Sequence, residues 1–187
     1  MPIYNLILII CWAVFLIYWF FTSLHTKKNR NSSKEFWFAR WVVAVIILVF
    51  FRHQVADIVA AFKIIPSSSA TLGIVGDLFA IVGIGFAIWA RKNLGANWGT
   101  PMTIKESPDL VTSGPYSYVR HPIYTGVLLA ILGSVVVGTP GWIIVFLVSF
   151  VGFFYSARRE EHDMIREFGE KYRSYMKRTK FLIPFVY

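Results

Sequence analysis

Gly114-Pro115-Tyr116-Ser117-Tyr118-Val119-Arg120-His121-Pro122-Ile123-Tyr124-Thr125-Gly126 sets an arginine, a histidine and several tyrosine hydroxyls directly against the start of an apolar run. Pro122 suits a first helical position, where its fixed φ and missing N–H are tolerated. The stretch reads as a donor-rich mouth at a membrane boundary, with a helix leaving it into the bilayer. The plain alternative is a helix N-terminus carrying a positive-inside Arg120 and an interfacial Tyr124.

Downstream, Pro122 to Val137 reads as an apolar span. Its Gly126, Ala130, Gly133 or Ser134, and Val137 or Gly138 recur three to four residues apart, a small-residue stripe suited to close helix contact. Thr139-Pro140-Gly141 predicts a tight turn, and Trp142 to Ala157 a returning span. Beyond Arg158 the chain is charged, and Met164, Ile165, Phe168, Tyr172 and Tyr175 fall at helical spacing. That pattern predicts a further, amphipathic helix with Glu160 and Glu161 in its first turn, its simplest role being to lie on the membrane surface. The closing Phe181 to Tyr187 is apolar but too short to span, and is expected to pack back on the protein or the interface.

Upstream, Ile3 to Leu24, Phe36 to Phe51 and Ala70 to Ala90 read as three more spans, separated by a basic stretch from Lys27 to Glu35 and a loop from Ile64 to Ser69. The third carries Gly73, Gly76, Ala80, Gly83 and Ala87 on one face. Its Gly83-Ile84-Gly85 is not a dinucleotide fingerprint, since the third glycine is missing and the segment lies inside a span. Asp77 in the same span is either a functional group or a partner for a neighbouring helix. Arg91 to Ser113 is long enough to help close a site beside the motif.

The expectation is therefore an all-α integral membrane protein with five transmembrane helices, a cytoplasmic loop and a C-terminal amphipathic helix. Within a single structural domain, 1–90 is a three-span membrane scaffold and 91–187 holds the cytoplasmic loop, the helical hairpin and the amphipathic helix. Of 187 residues, 56% are hydrophobic, and the net charge is +9; mean hydropathy is +0.57. Such charge alone could indicate nucleic acid. Its placement argues otherwise. With alternating loops, all 19 Lys and Arg except Arg52 and Lys63 fall on one side. This predicts an N-terminus outside and the motif and C-terminus in the cytoplasm, with no nucleic-acid partner. Cys11 is the single cysteine, which excludes an intrachain disulfide. The first apolar run lacks a basic leader and a cleavage site, so it reads as retained. Glu160-Glu161-His162-Asp163 is ligand-rich, but adjacent helical positions diverge and no metal site is expected.

Arg120-His121-Pro122-Ile123-Tyr124-Thr125-Gly126, followed after a helical hairpin by Glu160-Glu161 and then Phe168-Gly169-Glu170-Lys171-Tyr172, resembles the isoprenylcysteine carboxyl methyltransferase and phospholipid methyltransferase superfamily, in a short, prokaryotic-type form. The likeness runs from about Leu94 to Pro184, and implies that 91–187 is the catalytic region, with the cytoplasmic loop and C-terminal amphipathic helix forming the cofactor site. It implies S-adenosylmethionine as cofactor, bound on the cytoplasmic side, and a lipidic or amphipathic substrate entering from the bilayer. By resemblance Leu110, Val111 and Tyr116 line the cofactor. His121, Pro122, Ile123 and Tyr124 wrap it, Glu160 contacts it beside Glu161, and Gly126 lets it approach a helix. Arg120, Glu160 and Arg159 are the catalytic candidates. One departure concerns the acceptor: the prenylcysteine enzymes' carboxylate-associated Arg, four residues before the contacting Glu, falls at Ser156, and the family's upstream His falls at Pro108. Carboxyl O-methylation of an isoprenylcysteine-like substrate is the leading expectation. The alternatives are N-methylation of a phospholipid amine, S-methylation of a small thiol, a nicotinamide-dependent membrane reductase and a non-enzymatic scaffold. Oligomeric state is open.

Overall fold

The computed structural model describes residues 3–23, 69–98, 109–137 and 141–183. The expected second span, the basic stretch after the first and the segment around Lys105 lie outside the described residues. Among the described residues, regular structure is helical apart from one isolated bridge. Helix α1 covers Ile3–Ser23, α2 Ala70–Leu94, α3 Pro122–Val137, α4 Gly141–Phe168 and α5 Glu170–Arg178.

Three of these, α1, α2 and α4, are long and apolar enough to cross a bilayer. Helix α1 has 21 residues, about 30 Å at 1.5 Å per residue, without a charged side chain. Leu6, Ile9, Leu16, Ile17, Phe20 and Phe21 are exposed along it, as are Ile144, Leu147, Val148 and Val151 on α4. Apolar surface so extensive is stable facing lipid. The chain is thus an integral membrane protein. Helix α3 matches the expected fourth span residue for residue, yet its 16 residues fall short of a full crossing.

Two helix ends explain where the chain turns. Helix α2 stops at Gly95, whose φ of 55° is in the left-handed region, and Arg91 and Lys92 occupy the last turn where a cation complements the carbonyl end. Helix α4 stops in the same way at Gly169, φ 55°. This corrects the expected division at Arg158. The apolar span and the start of the charged segment are one helix of 28 residues, because no Gly or Pro interrupts it there. Glu160 and Glu161 accordingly sit inside α4 rather than in a first turn.

Helices α2 and α3 form the close-packed centre. A Cβ on Gly83 would lie 2.5 Å from the Gly126 carbonyl oxygen, and one on Gly126 2.5 Å from that of Gly83. The pairing repeats at Gly76 and Gly133, where the distances are 2.7 and 2.4 Å. As one number rises the other falls, so the helices run antiparallel, and both small-residue stripes serve contact within the chain. Helix α1 closes over them: Trp12 Nε1 donates to Ser134 Oγ at 3.1 Å, and Leu8 packs with Ala80 and Val137. Asp77 is buried in the same region with Oδ1 unpartnered.

Candidate functional site

The mouth begins at Gly114, whose φ of 60° and close approach to the Asn93 side chain leave no room for a Cβ. A short 3-10 turn over Gly114–Ser117 with Pro115 in its first turn then delivers Tyr118 and Val119 to the C-terminal segment. Lys180 N donates to Tyr118 O at 3.1 Å, and Arg120 N to Lys180 O at 2.9 Å. This isolated parallel bridge between Val119 and Lys180 stitches the motif to the segment that follows α5.

Arg120 reinforces the stitch. Its Nε donates to Glu161 Oε1 in an ion pair, and its Nη1 donates to the carbonyls of Thr179 at 2.5 Å and Met176 at 3.2 Å. Those carbonyls belong to the end of α5, which a cation stabilises. The guanidinium proposed as catalytic therefore caps a helix and neutralises a buried acid. Thr125 Oγ1 adds a bond of 2.5 Å to Leu182 O. Phe181 and Leu182 are buried against Leu128 and Ala157, as expected for a closing segment that packs back.

Adjacent positions on a helix point about 100° apart, so the two acids of α4 do different work. Glu161 is buried, facing Arg120 and, at 3.8 Å, His121 Nε2. Glu160 remains partly open, its side chain 28% exposed. Tyr124 OH donates to its Oε1 at 2.5 Å, and His121 Nδ1 lies 3.5 Å from its Oε2. His121 Nε2 has no hydrogen-bond partner although it is buried. The ring thus sits between the two carboxylates, Nδ1 toward Glu160 and Nε2 toward Glu161, with Nε2 short of a hydrogen bond.

The surroundings hold this group in place. His121 stacks on Tyr124 and Tyr124 on Phe153, with centroids 5.7 and 4.7 Å apart, and Phe181 meets His121 edge-on. Burial opposes a charge on His121, but bonding to Glu160 and Glu161 outweighs it and raises the pKa from its ordinary 6.5. Burial, with Tyr175 and Glu160 nearby, pushes the Tyr116 hydroxyl well above its ordinary range, so it stays protonated. Burial likewise pushes Tyr175 up to about 12, and its hydroxyl donates to Tyr116 O at 2.7 Å.

The structure brings Tyr116, Arg120, His121, Tyr124, Glu160 and Glu161 together; Pro122 is buried and Ile123 half-buried at the start of α3 beneath them. Leu110 and Val111 lie half-buried on the approach to the mouth, just after Asp109, whose N–H donates to Asn97 Oδ1 at 3.2 Å. Gly126 is placed otherwise than expected: α2 backbone fills the space its missing Cβ leaves, so it admits a helix there. Arg159 is exposed and outside the cluster. Arg158 instead lies over Phe181, 4.6 Å from the ring centre, and 3.9 Å from Glu161 Oε2. Tyr172, Tyr175 and Phe181 also wall the site. The tyrosine spacing was legible as helical periodicity, but the buried partner of that face was not.

A protein-family model described as the isoprenylcysteine carboxyl methyltransferase family matches residues 76–166. Methanethiol S-methyltransferase 1 of Bradyrhizobium diazoefficiens is 39% identical over 69 residues, 37% of this chain and 24% of that protein. Protein-S-isoprenylcysteine O-methyltransferase of Xenopus laevis is 29% identical over 119 residues, 62% of this chain and 41% of that one. The solved structure of the eukaryotic intramembrane Ras methyltransferase, an isoprenylcysteine carboxyl methyltransferase, superposes with a TM-score of 0.56 at 28% identity, covering 83% of this chain and 54% of the other. The chain thus spans less than two thirds of each of these relatives.

Proposed function

From the match of residues 76–166 to the isoprenylcysteine carboxyl methyltransferase family model, we propose that the protein is a member of that family and a membrane-embedded, S-adenosylmethionine-dependent methyltransferase acting on a lipidic or amphipathic acceptor. The observation that carries this reading is the cluster of His121, Tyr124 and Glu160 at the head of an apolar helix pair, with His121 Nε2 buried and unpartnered. The donor set suits the cofactor's chemistry. A partly open carboxylate complements an ammonium or ribose hydroxyls, and a protonated imidazole complements a carboxylate.

When bound, the cofactor supplies a methyl group on an electrophilic sulfonium. Glu160, oriented by Tyr124, holds the ligand's cationic or hydroxyl groups. His121, its pKa raised by the two acids, would hold Glu160 in place through Nδ1. Leu110, Val111, Tyr116 and Ile123 give the apolar wall, and the Arg120–Glu161 pair fixes the motif against α5. Direct displacement asks the protein chiefly for alignment and exclusion of water, which buried aromatics around His121 provide. The basic residues argue for a cytoplasmic site with the N-terminus outside.

For the acceptor, carboxyl O-methylation of an isoprenylcysteine-like molecule is the leading reading, supported by the solved relative. A small thiol is the second, favoured by the methanethiol S-methyltransferase likeness and by Ser156 standing where the resemblance places a carboxylate-binding Arg. Calorimetric titration of S-adenosylmethionine and S-adenosylhomocysteine into the detergent-purified chain tests the cofactor. Saturable binding, lost in Glu160→Ala and His121→Ala, is the expected result; absence of binding by folded wild-type protein overturns the reading. Labelled-methyl transfer to a prenylated cysteine against methanethiol then separates the acceptors.

A further inference from the structure

We infer that Arg91 is a positioning residue for the cofactor side of the site: it welds the cytoplasmic-end termini of α1 and α2 to the turn that carries the Leu110–Val111 approach. Arg91 is 3% exposed, in the last turn of α2. Its Nη2 donates to Thr22 O at 2.6 Å, and its Nη1 to Gly95 O at 2.7 Å. Thr22 lies in the last turn of α1 and Gly95 follows the last residue of α2, so one guanidinium serves carbonyls at two parallel helix C-termini. Each such end is electronegative and short of donors. The same guanidinium lies 4.7 Å from the Trp98 ring centre, and Trp98 meets Trp19 of α1 edge-on.

The turn so fixed, Gly95–Asn97, ends on the residue whose Oδ1 accepts the Asp109 N–H. Asp109 immediately precedes Leu110 and Val111. Asn93, two residues beyond Arg91, fills the space beside Gly114 at the start of the mouth. The chain thus meets the end of α2 twice within six residues, at Asp109 and at Gly114, and both contacts depend on how that end is held. A lysine cannot replace this arrangement. It is a point charge without a planar fork, whereas the two carbonyls and the indole face engage separate parts of one rigid group.

This inference rests on the cofactor reading above, and its test separates the two. S-adenosylhomocysteine is titrated into full-length wild-type, Arg91→Lys and Asn97→Ala proteins in one detergent, with thermal unfolding followed in parallel and dissociation constants referred to the folded fraction. Expected are wild-type binding and about a tenfold weakening in Arg91→Lys, from a displaced site wall. Asn97→Ala, which leaves Arg91 and both helix ends intact, shows a weaker loss in the same direction with an unchanged unfolding temperature. Wild-type affinity in folded Arg91→Lys overturns the positioning role. If that variant does not fold, unchanged affinity in Asn97→Ala does so. Failure of wild-type protein to bind overturns the methyltransferase reading instead.

Discussion

The α2–α3 interface and the α4–α5 mouth solve opposite problems with helices. Between α2 and α3 the chain removes side chains until backbones touch, at Gly76 with Gly133 and at Gly83 with Gly126. At the mouth it gathers Arg120, His121, Glu160 and Glu161, pairs some of their polar atoms and leaves one nitrogen without a partner. The first arrangement is closed by backbone contact, which leaves no room between the helices at these glycines. The second buries Glu161 against Arg120, with the unpartnered His121 Nε2 on that side, and leaves Glu160 partly exposed. That difference in exposure between adjacent acids is what the proposed binding site rests on.

The largest effect should come from breaking the closed half of the mouth. Glu161→Ala leaves Arg120 buried beside His121 without its counter-charge, a kind of loss that costs about 3–5 kcal/mol. Denaturant or thermal unfolding in detergent should show the folded state lost or strongly weakened, while Glu160→Ala unfolds much as wild type does. Equal destabilisation by the two would erase the proposed division of labour.

Next comes the glycine interface. Gly83→Val puts carbon within 2.5 Å of a backbone oxygen, and overpacking of this sort costs about 1–3 kcal/mol. Its exposed neighbour in the sequence motif, Gly85, meets nothing within 4 Å, so Gly85→Val should leave the unfolding temperature close to wild type. A comparable loss at both sites would mean that the stripe does not carry the packing.

The smallest and sharpest effect concerns pH. His121 has its pKa raised above 6.5 in the folded protein. The stability this contributes is fully present below 6.5 and fades as pH rises through the raised value. Stability against unfolding, measured across that window, should therefore decline in wild type, and the decline should flatten in His121→Asn. A parallel decline in both proteins would assign the dependence to another group.

The sequence made much of this legible because apolar length and small-residue spacing are local properties. Pro122 to Val137, the start of α2 at Ala70 and the two small-residue stripes could be read from periodicity alone, while α2 runs on to Leu94, one turn past the expected Ala90. The break expected at Arg158 could not, because a change from apolar to charged residues alters what surrounds a helix without stopping it; Gly169 stops it. Gly126 read as an opening for a ligand because a glycine advertises space without saying what fills it. Arg120 read as catalytic because its partners, Glu161, Met176 and Thr179, lie far along the chain. Arg91 escaped notice for the same reason, its anchor on Thr22 being 69 residues away.

What the sequence determined by itself was the membrane, the helical material and the residue types of the mouth, since burial in lipid demands long apolar helices whatever their arrangement. The tertiary structure decided which polar groups face one another. Glu160 and Glu161 are chemically identical and adjacent, and only a 100° turn of α4 against α3 and α5 makes one the buried partner of an arginine and leaves the other open.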